Sequence, residues 1–170
     1  WISFARCGLV DNAPNALLQS DTMDNASWTK TGCTVTGDAS AGPDGTTTAD
    51  MIVETAVTSA HNISQGVTVV STALEYSASV TCKASTRTWC FVQMAETLGG
   101  TTVFAYINLS TGAIGTTSTG ANWSNLRVVV VGQGGGFYRI SITAKKTNAA
   151  TTISFNIGAA TADNTGSYLG

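Results

Sequence analysis

The acid–base chemistry available to this sequence rests on one histidine and a few carboxylates on predicted strands. His61 is the only histidine of the 170 residues, and its segment, AHNISQ, contains no nucleophile motif for a Ser-His-Asp triad. Glu75 and Glu96 could fall on neighbouring strands, and a glycosidase needs two carboxyl groups about 5 to 10 Å apart. Carboxylates near strand ends more often face solvent, and a lone strand histidine is more often a surface or cross-strand partner. The sequence therefore predicts a protein that is not an enzyme.

Three aspartates are the candidates for a metal site. Asp38, Asp44 and Asp50 share a loop-and-strand region, where carboxylates and backbone carbonyls could supply the about six to eight oxygens that Ca²⁺ takes. Their spacing is not that of an EF-hand, and Pro43-Asp44-Gly45 is a turn sequence, which favours turn-forming aspartates. No cofactor is predicted, and a structural calcium ion at these aspartates is the alternative.

Aromatic residues beside polar ones are the best candidates for ligand binding. Sugars present C–H faces that stack on Trp and Tyr rings, while their hydroxyl groups need amides or an arginine at the rim. The candidate glycan-binding residues are Arg87, Trp89 and Gln93, then Tyr106 and Asn108, and finally Asn122 and Trp123. Trp123 lies in a Ser/Gly/Asn segment and is expected to be the most exposed ring. Core packing is the alternative for each ring, and it is the assignment preferred for Trp28, Phe91, Phe104, Phe137 and Phe155.

These candidates lie on segments that have the period of β-strands. From Tyr76 to Cys82 apolar and polar residues alternate, so successive side chains point to opposite faces. The segments are rich in Thr, Val, Tyr, Phe and Trp, which favour strands. We predict a three-stranded meander over residues 73–109 whose first two strands form a hairpin. Cys82 and Cys90 would face each other across that hairpin, as two buried thiols in the favoured interpretation or as a disulfide in the alternative.

The whole chain repeats this pattern. About nine or ten short strands without helical periodicity predict an all-β fold. Long connections favour a jelly roll, so the predicted fold is a two-sheet antiparallel β-sandwich. Residues 1–14 are expected to form an irregular N-terminal arm, and residues 15–170 a single sandwich domain. The nearly continuous apolar segment 125–132 predicts a strand buried on both faces.

Composition argues against several classes of partner. The net charge is −2 and there is no basic run, so we expect no binding to nucleic acid. No apolar run approaches the roughly 18 residues of a membrane span. Charged residues are only 11% of the chain, and Thr, Ser, Asn, Gly and Ala supply the polar surface, as is common in secreted and virion β proteins. The chain starts at Trp1 without a signal segment, so we expect a processed product or a fragment.

Six segments in order carry a family resemblance: ALLQSDTMDNASWTKTGCTVT, PDGTTTAD, EYSASVTCKASTRTWCFVQM, INLSTGAIGT, GGGFYRISIT and GSYLG. Together they resemble the carbohydrate-binding-module-like jelly-roll domains of bacteriophage tail and other virion proteins, from about Asn15 to Gly170. Phe137 replaces the family's Trp before Tyr-Arg. The family's further strand, after the motif that ends at Gly170, is missing. Either the chain is cut short or a partner subunit or the N-terminal arm fills that gap, and an unpaired edge would be an assembly point.

The resemblance implies a non-catalytic module located on a virion, which is an extracellular particle. The first hypothesis is a tail-fibre or tail-associated module that attaches to host-surface glycans, with avidity from a homo-oligomer. The second is a structural protein (head decoration, fibre or tail component) that contacts other virion subunits and binds no sugar. The third is the carbohydrate-binding module of a secreted polysaccharide-degrading enzyme. Glycan binding predicts a groove floored by Trp89, Tyr106 or Trp123, whereas the structural role predicts that these rings are buried in the core or in subunit contacts.

Overall fold

The computed structural model describes residues 2–10, 15–70 and 74–170, and within these ranges the chain is built of β-strands and contains no α-helix. No helix suited in length and hydropathy to crossing a membrane is found in this part of the chain. The strands are β1 (Ile2–Val10), β2 (Thr29–Thr31), β3 (Cys33–Ala41), β4 (Thr47–Glu54), β5 (Thr58–Thr68), β6 (Glu75–Ala84), β7 (Trp89–Glu96), β8 (Thr102–Asn108), β9 (Ala113–Thr119), β10 (Trp123–Gly134), β11 (Phe137–Lys146), β12 (Thr152–Ala160) and β13 (Ser167–Leu169).

The strands form two sheets, which confirms the predicted all-β, antiparallel architecture. Sheet A has the order β10-β11-β6-β1-β4-β3, and sheet B has the order β13-β5-β12-β7-β8-β9, with β2 also paired to β5. Their inward side chains meet in one core, to which β6, β11 and β12 contribute alternate residues such as Val80, Ile142 and Phe155. Trp28 plugs this core as predicted: it is 1% exposed, and its Nε1 donates to the Gln19 carbonyl at 3.0 Å.

The predicted hairpin between β6 and β7 is wrong. β6 pairs with β1 and β11 in sheet A, whereas β7 pairs with β12 and β8 in sheet B. The short link between β6 and β7 therefore crosses between sheets, which pack about 10 Å apart. Cys82 and Cys90 consequently lie on different sheets, and both are buried thiols, as the favoured interpretation held. Alternation shows that two strands are amphipathic, but it does not say which strand each one pairs with.

The N-terminal residues are not the irregular arm that was expected. Ile2–Val10 form a strand inside sheet A, antiparallel to both β6 and β4. Ile2 is completely buried. The remainder of the expected arm, residues 11–14, lies outside the described residues.

The prediction that segment 125–132 is buried on both faces is also wrong. β10 is an edge strand of sheet A, and Arg127 faces outward from it. Val129 and Val131 are 54% and 50% exposed, while Val128 and Val130 pack against the core. Valine suits a strand on either face, so an all-valine run does not distinguish the core side from the solvent side.

Candidate functional site

The outward side chains of sheet B line up in rows because the strand register is continuous across the sheet. One row takes one residue from each of six strands, and we call it the central row: Thr29, Ser64, Asn156, Gln93, Phe104 and Ser118. Neighbouring strands lie about 4.8 Å apart, so the row spans about 24 Å. Its members are half-buried or exposed, and none belongs to the core.

The adjacent row carries aromatic rings. Phe91 and Tyr106 are register partners with ring centroids 5.9 Å apart. Phe104 meets Tyr106 edge-on, at 5.7 Å and 87°. Phe91 lies over Gly158, where an added Cβ would come within 2.4 Å of the ring. These rings form a cluster outside the sandwich core, on the surface of sheet B.

Four of the residues predicted from sequence meet on this surface. Trp89 is the register partner of Asn108, and Gln93 is the register partner of Phe104. Tyr106 is half-buried between these two pairs. Alternation along β7 and β8 directs all of these side chains to one side, so the predicted grouping of Trp89 with Gln93 and of Tyr106 with Asn108 is found in the fold.

A short segment that we call the strap, residues 161–166, covers one end of the aromatic cluster. A β-bridge between Ala162 and Thr165 closes it. The Asp163 carboxylate accepts hydrogen bonds from Thr116 N at 2.7 Å and Thr116 Oγ1 at 3.1 Å, which fastens the strap to β9. Burial raises the pKa of the Tyr106 hydroxyl, although a hydrogen bond from Gly166 opposes this. The strap thus shields Tyr106 and leaves the central row open.

The β5 end of the central row opens into a cavity of about 550 Å³, lined by residues that include Leu18, Ser27, Thr29, Ser64 and Ser154. Gln65 points inward and forms the wall of this cavity next to Leu18 and Ser27. Its Oε1 accepts from Leu18 N at 2.6 Å, and its Nε2 donates to the carbonyls of Leu18 at 3.0 Å and Ser27 at 3.2 Å. The cavity shares Thr29 and Ser64 with the central row.

Two side-chain amides in the middle of the central row have unused hydrogen-bonding capacity. Within the described part of the chain, the Gln93 amide has no hydrogen-bond partner, and the Asn156 amide makes one long bond, 3.4 Å, to the Ser154 carbonyl. A side-chain amide offers two donors and a carbonyl acceptor. Gln93 and Asn156 are register partners, so their two side-chain amides lie side by side on neighbouring strands.

Arg87 is held in an ion pair that directs its guanidinium toward Glu54. Its Nε and Nη2 donate to the Glu54 carboxylate at 2.9 and 2.8 Å. Tyr168 donates to the same carboxylate at 2.6 Å, and the guanidinium lies 4.9 Å from the Tyr168 ring. The hydrogen bond to Glu54 raises the pKa of Arg87. This cluster ties β13 and the β6–β7 link to β4.

The expectation that Trp123 is exposed is wrong. Its ring is 4% exposed in the core, and its Nε1 donates to the Thr101 carbonyl at 3.2 Å. Asn122 donates to Glu96 Oε1 at 2.8 Å. The Gly-Ala-Asn turn before Trp123 reverses the chain, and the first residue of β10 then points inward. Neither side chain joins the group on sheet B.

Glu96 and Lys146 are charged but almost completely buried, at 2% and 0% exposure. Glu96 was expected to face solvent; instead it points into the sandwich from β7. Burial disfavours its charge, but hydrogen bonds from Asn122 and Thr101 outweigh this and hold the pKa of Glu96 below its usual value. Burial lowers the pKa of Lys146, whose Nζ donates to the Asn148 and Ala150 carbonyls. Glu75 lies on sheet A and pairs with Arg127, so Glu75 and Glu96 do not form a glycosidase pair.

His61 is completely buried, and both of its ring nitrogens face backbone carbonyl groups. Its Nδ1 lies 2.5 Å from the Gly32 carbonyl and its Nε2 lies 3.1 Å from the Tyr168 carbonyl. Its ring packs on that of Tyr168 at 4.6 Å. Both ring nitrogens therefore contact backbone carbonyl oxygens, and His61 links β5 to β13 and to the turn after β2.

Two of the three aspartates proposed as calcium ligands accept hydrogen bonds from backbone amides, and the third, Asp38, donates its own backbone N–H to Asp50. Asp50 is buried and accepts from Met23 N at 2.6 Å and Asp38 N at 3.0 Å. Asp44 is exposed and accepts from Thr46 in its own turn. Within the described ranges, no three His, Cys, Asp or Glu side chains are grouped to hold a metal ion. Asp44 matches the turn-forming interpretation, whereas Asp50 is a buried strand residue.

Sequence reasoning missed part of the site. Phe91 and Phe104 were assigned to the core, but neither belongs to the core cluster: both rings lie against Tyr106 on the outer face of sheet B, where Phe104 is half-buried. Asn156 and Ser64 were not singled out at all. The alternation in TISFNIG gives Ser154 and Asn156 the same face, but only the pairing of β12 with β7 and β5 brings them beside Gln93.

Comparison with known proteins adds no relative. No family model matches the chain, and no curated protein sequence matches it.

Proposed function

We propose that this protein is a non-catalytic, carbohydrate-binding-module-like jelly-roll module that attaches a bacteriophage virion to host-surface glycans through the outer face of sheet B. The observation that carries the proposal is the central row. A half-buried ring, Phe104, is the register partner of Gln93, whose amide has no hydrogen-bond partner among the described residues. Gln93 is in turn paired with Asn156, whose amide makes one long hydrogen bond. Aromatic faces and amides are the groups that bind sugar rings and sugar hydroxyls. The location on a virion rests on the resemblance of the six motifs.

The test is a glycan-array screen of the purified protein beside Phe104→Ala and Gln93→Ala variants. We expect selective binding that each variant weakens by about fivefold to tenfold, because a stacked ring or a hydrogen-bonded amide contributes about 1 to 1.5 kcal/mol. Val57→Ala and Gln133→Ala are matched controls, since they remove an exposed apolar side chain between β4 and β5 and an exposed amide from sheet A. Wild-type protein that is folded and binds no glycan would contradict the proposal.

A second candidate function, a purely structural virion component, is favoured by the β10 edge. β10 is at the margin of sheet A, and its outward residues Val129 and Val131 are about half-exposed. A long apolar edge strand is a template for pairing with another chain. The occupant that fits is a second copy of this chain, whose β10 would pair antiparallel and extend sheet A. This contact is compatible with glycan binding, because it leaves sheet B free.

A further inference from the structure

We infer that the ligand of the central row is an uncharged oligosaccharide, bound in extended form across the strands of sheet B. This inference rests on the proposed glycan-binding function and names the chemical class of the glycan. Three features carry it: the distribution of charge over the molecule, the kind of polar groups in the row, and the position of the strap and the cavity beside the row.

Charge is segregated between the two faces. Within the described residues, no Lys, Arg, Asp or Glu side chain points outward from the strands of sheet B. Lys30 of β2 pairs with the inward-facing Ile63, and its Nζ donates to the Asp24 and Asn25 carbonyls. The charged groups that face outward from β6, β10 and β11 are all on sheet A: Glu75, Lys83, Arg127, Arg139 and Lys145. An anionic glycan would be attracted to sheet A and not to the central row.

The polar groups of the row suit hydroxyl groups and not anions. Gln93 and Asn156 supply amides, and Ser64, Ser118 and Thr29 supply hydroxyls, so every polar side chain both donates and accepts. Carboxylates, sulfates and phosphates are recognised by guanidinium, ammonium or clustered N–H groups, which donate only. The charged group at the border of the row is the Asp163 carboxylate on the strap, which would repel an anion.

The position of the strap and the cavity beside the central row gives the direction of the bound chain. The strap covers the Tyr106 side, so a ligand has free access along the central row and less access along the strands. Phe104 stands at the β8 end, where Tyr106 contacts it edge-on and fixes its orientation. The cavity at the β5 end receives the other terminus of the ligand. An extended chain of about five sugar units fits the span of about 24 Å.

The experiment compares two sets of probes by calorimetry: neutral oligosaccharides of glucose, xylose, mannose and galactose, and anionic oligogalacturonate and oligosialic acid, each of about five units. We expect binding to a neutral probe only, with an affinity that is constant between about 50 and about 500 mM NaCl because no charge pairs form. Asn156→Ala and Gln93→Ala should each weaken binding about tenfold. Arg139→Ala, on sheet A, should leave it unchanged.

The alternative outcomes are distinct. Salt-sensitive binding of an anionic probe that Gln93→Ala weakens would overturn the neutral-ligand inference while leaving glycan binding by sheet B in place. Anionic binding that is lost in Arg139→Ala would move the site to sheet A and overturn both. A folded protein that binds neither set would overturn the proposed function and the inference together.

Discussion

Single residues in this protein acquire their roles from partners that are distant in sequence. Glu54 is the clearest case: its carboxylate, 7% exposed, joins Arg87 of the β6–β7 link to Tyr168 of β13. Burial disfavours the charged form of Glu54, but the hydrogen bonds from Arg87 and Tyr168 outweigh it. The pKa of Glu54 therefore lies below the usual value of 4.5. This makes one side chain a determinant of acid stability.

We predict that the free energy of unfolding falls in acid, partly through Glu54. A carboxyl whose pKa is lowered by folding stabilises the native state above its unfolded pKa, and this contribution is lost as the pH falls through the folded pKa. Glu54→Gln should cost about 1 to 3 kcal/mol at pH 7 and flatten the decline below pH 4.5, measured by urea unfolding against pH. Glu75→Gln is the control: its ion pair is exposed, so little change is expected. Parallel acid profiles for Glu54→Gln and the wild type would refute this assignment.

At the scale of elements, β7, β8 and β12 act as one platform whose outer face depends on a glycine. Gly158 of β12 lies under the Phe91 ring, and an added Cβ would be 2.4 Å from Phe91 carbons and 2.8 Å from Asn62 Cβ. Gly66 of β5 faces the same side, but its nearest contact, Thr152 Cγ2, would be 3.7 Å away. The two glycines therefore differ in the space above them.

We predict opposite results for alanine at these two positions. Gly158→Ala should destabilise the protein by about 1 to 3 kcal/mol because the Phe91 ring must move. Gly66→Ala should be neutral or stabilise by up to about 1 kcal/mol, since alanine loses less backbone freedom on folding. Chemical unfolding measures both values. If both variants were equally stable, Phe91 would not be packed against the strand as described.

The residues of the site could be predicted from sequence only where they lie on strands that are consecutive in the chain. Trp89, Gln93, Tyr106 and Asn108 could be grouped from sequence because β7 and β8 are joined by a short turn and alternate regularly. The partners from β12 and β5 could not be found, since the chain returns to β7 only after about 60 residues and no local pattern encodes that pairing. The exposure of Trp123 was predicted wrongly because the turn residues before it indicate only that the chain reverses there. They do not determine the direction in which the Trp123 side chain points.

At the scale of the whole molecule, the outer faces of the two sheets differ in charge. Sheet B has an uncharged outer face with aromatic rings, whereas sheet A carries the outward charges and ends in the apolar β10 edge. Assembly through β10 would place copies side by side with their central rows exposed, and several weak glycan contacts would then act together.

We predict that Val129→Lys and Val131→Lys reduce self-association of the protein. A lysine on an edge strand opposes pairing with another strand, while the exposed position spares the fold. Sedimentation velocity over a range of concentrations should show a lower average mass for these variants than for the wild type. Ser141→Lys is the control, since Ser141 is the register partner of Val129 on an interior strand. A wild-type protein that is monomeric at every concentration would rule out the β10 contact.

The sequence by itself determined the class of the fold, most strand positions and the grouping of candidates on adjacent strands. These three features depend on local alternation and on turn residues, which can be recognised within short segments of the sequence. Only the tertiary structure decided that β6 and β7 belong to different sheets, that Ile2–Val10 is an interior strand, and that Trp123 and Glu96 are buried. It also placed Asn156 beside Gln93. The physical reason is that strand pairing and burial come from contacts between distant segments, and alternation is the same whichever partner a strand takes.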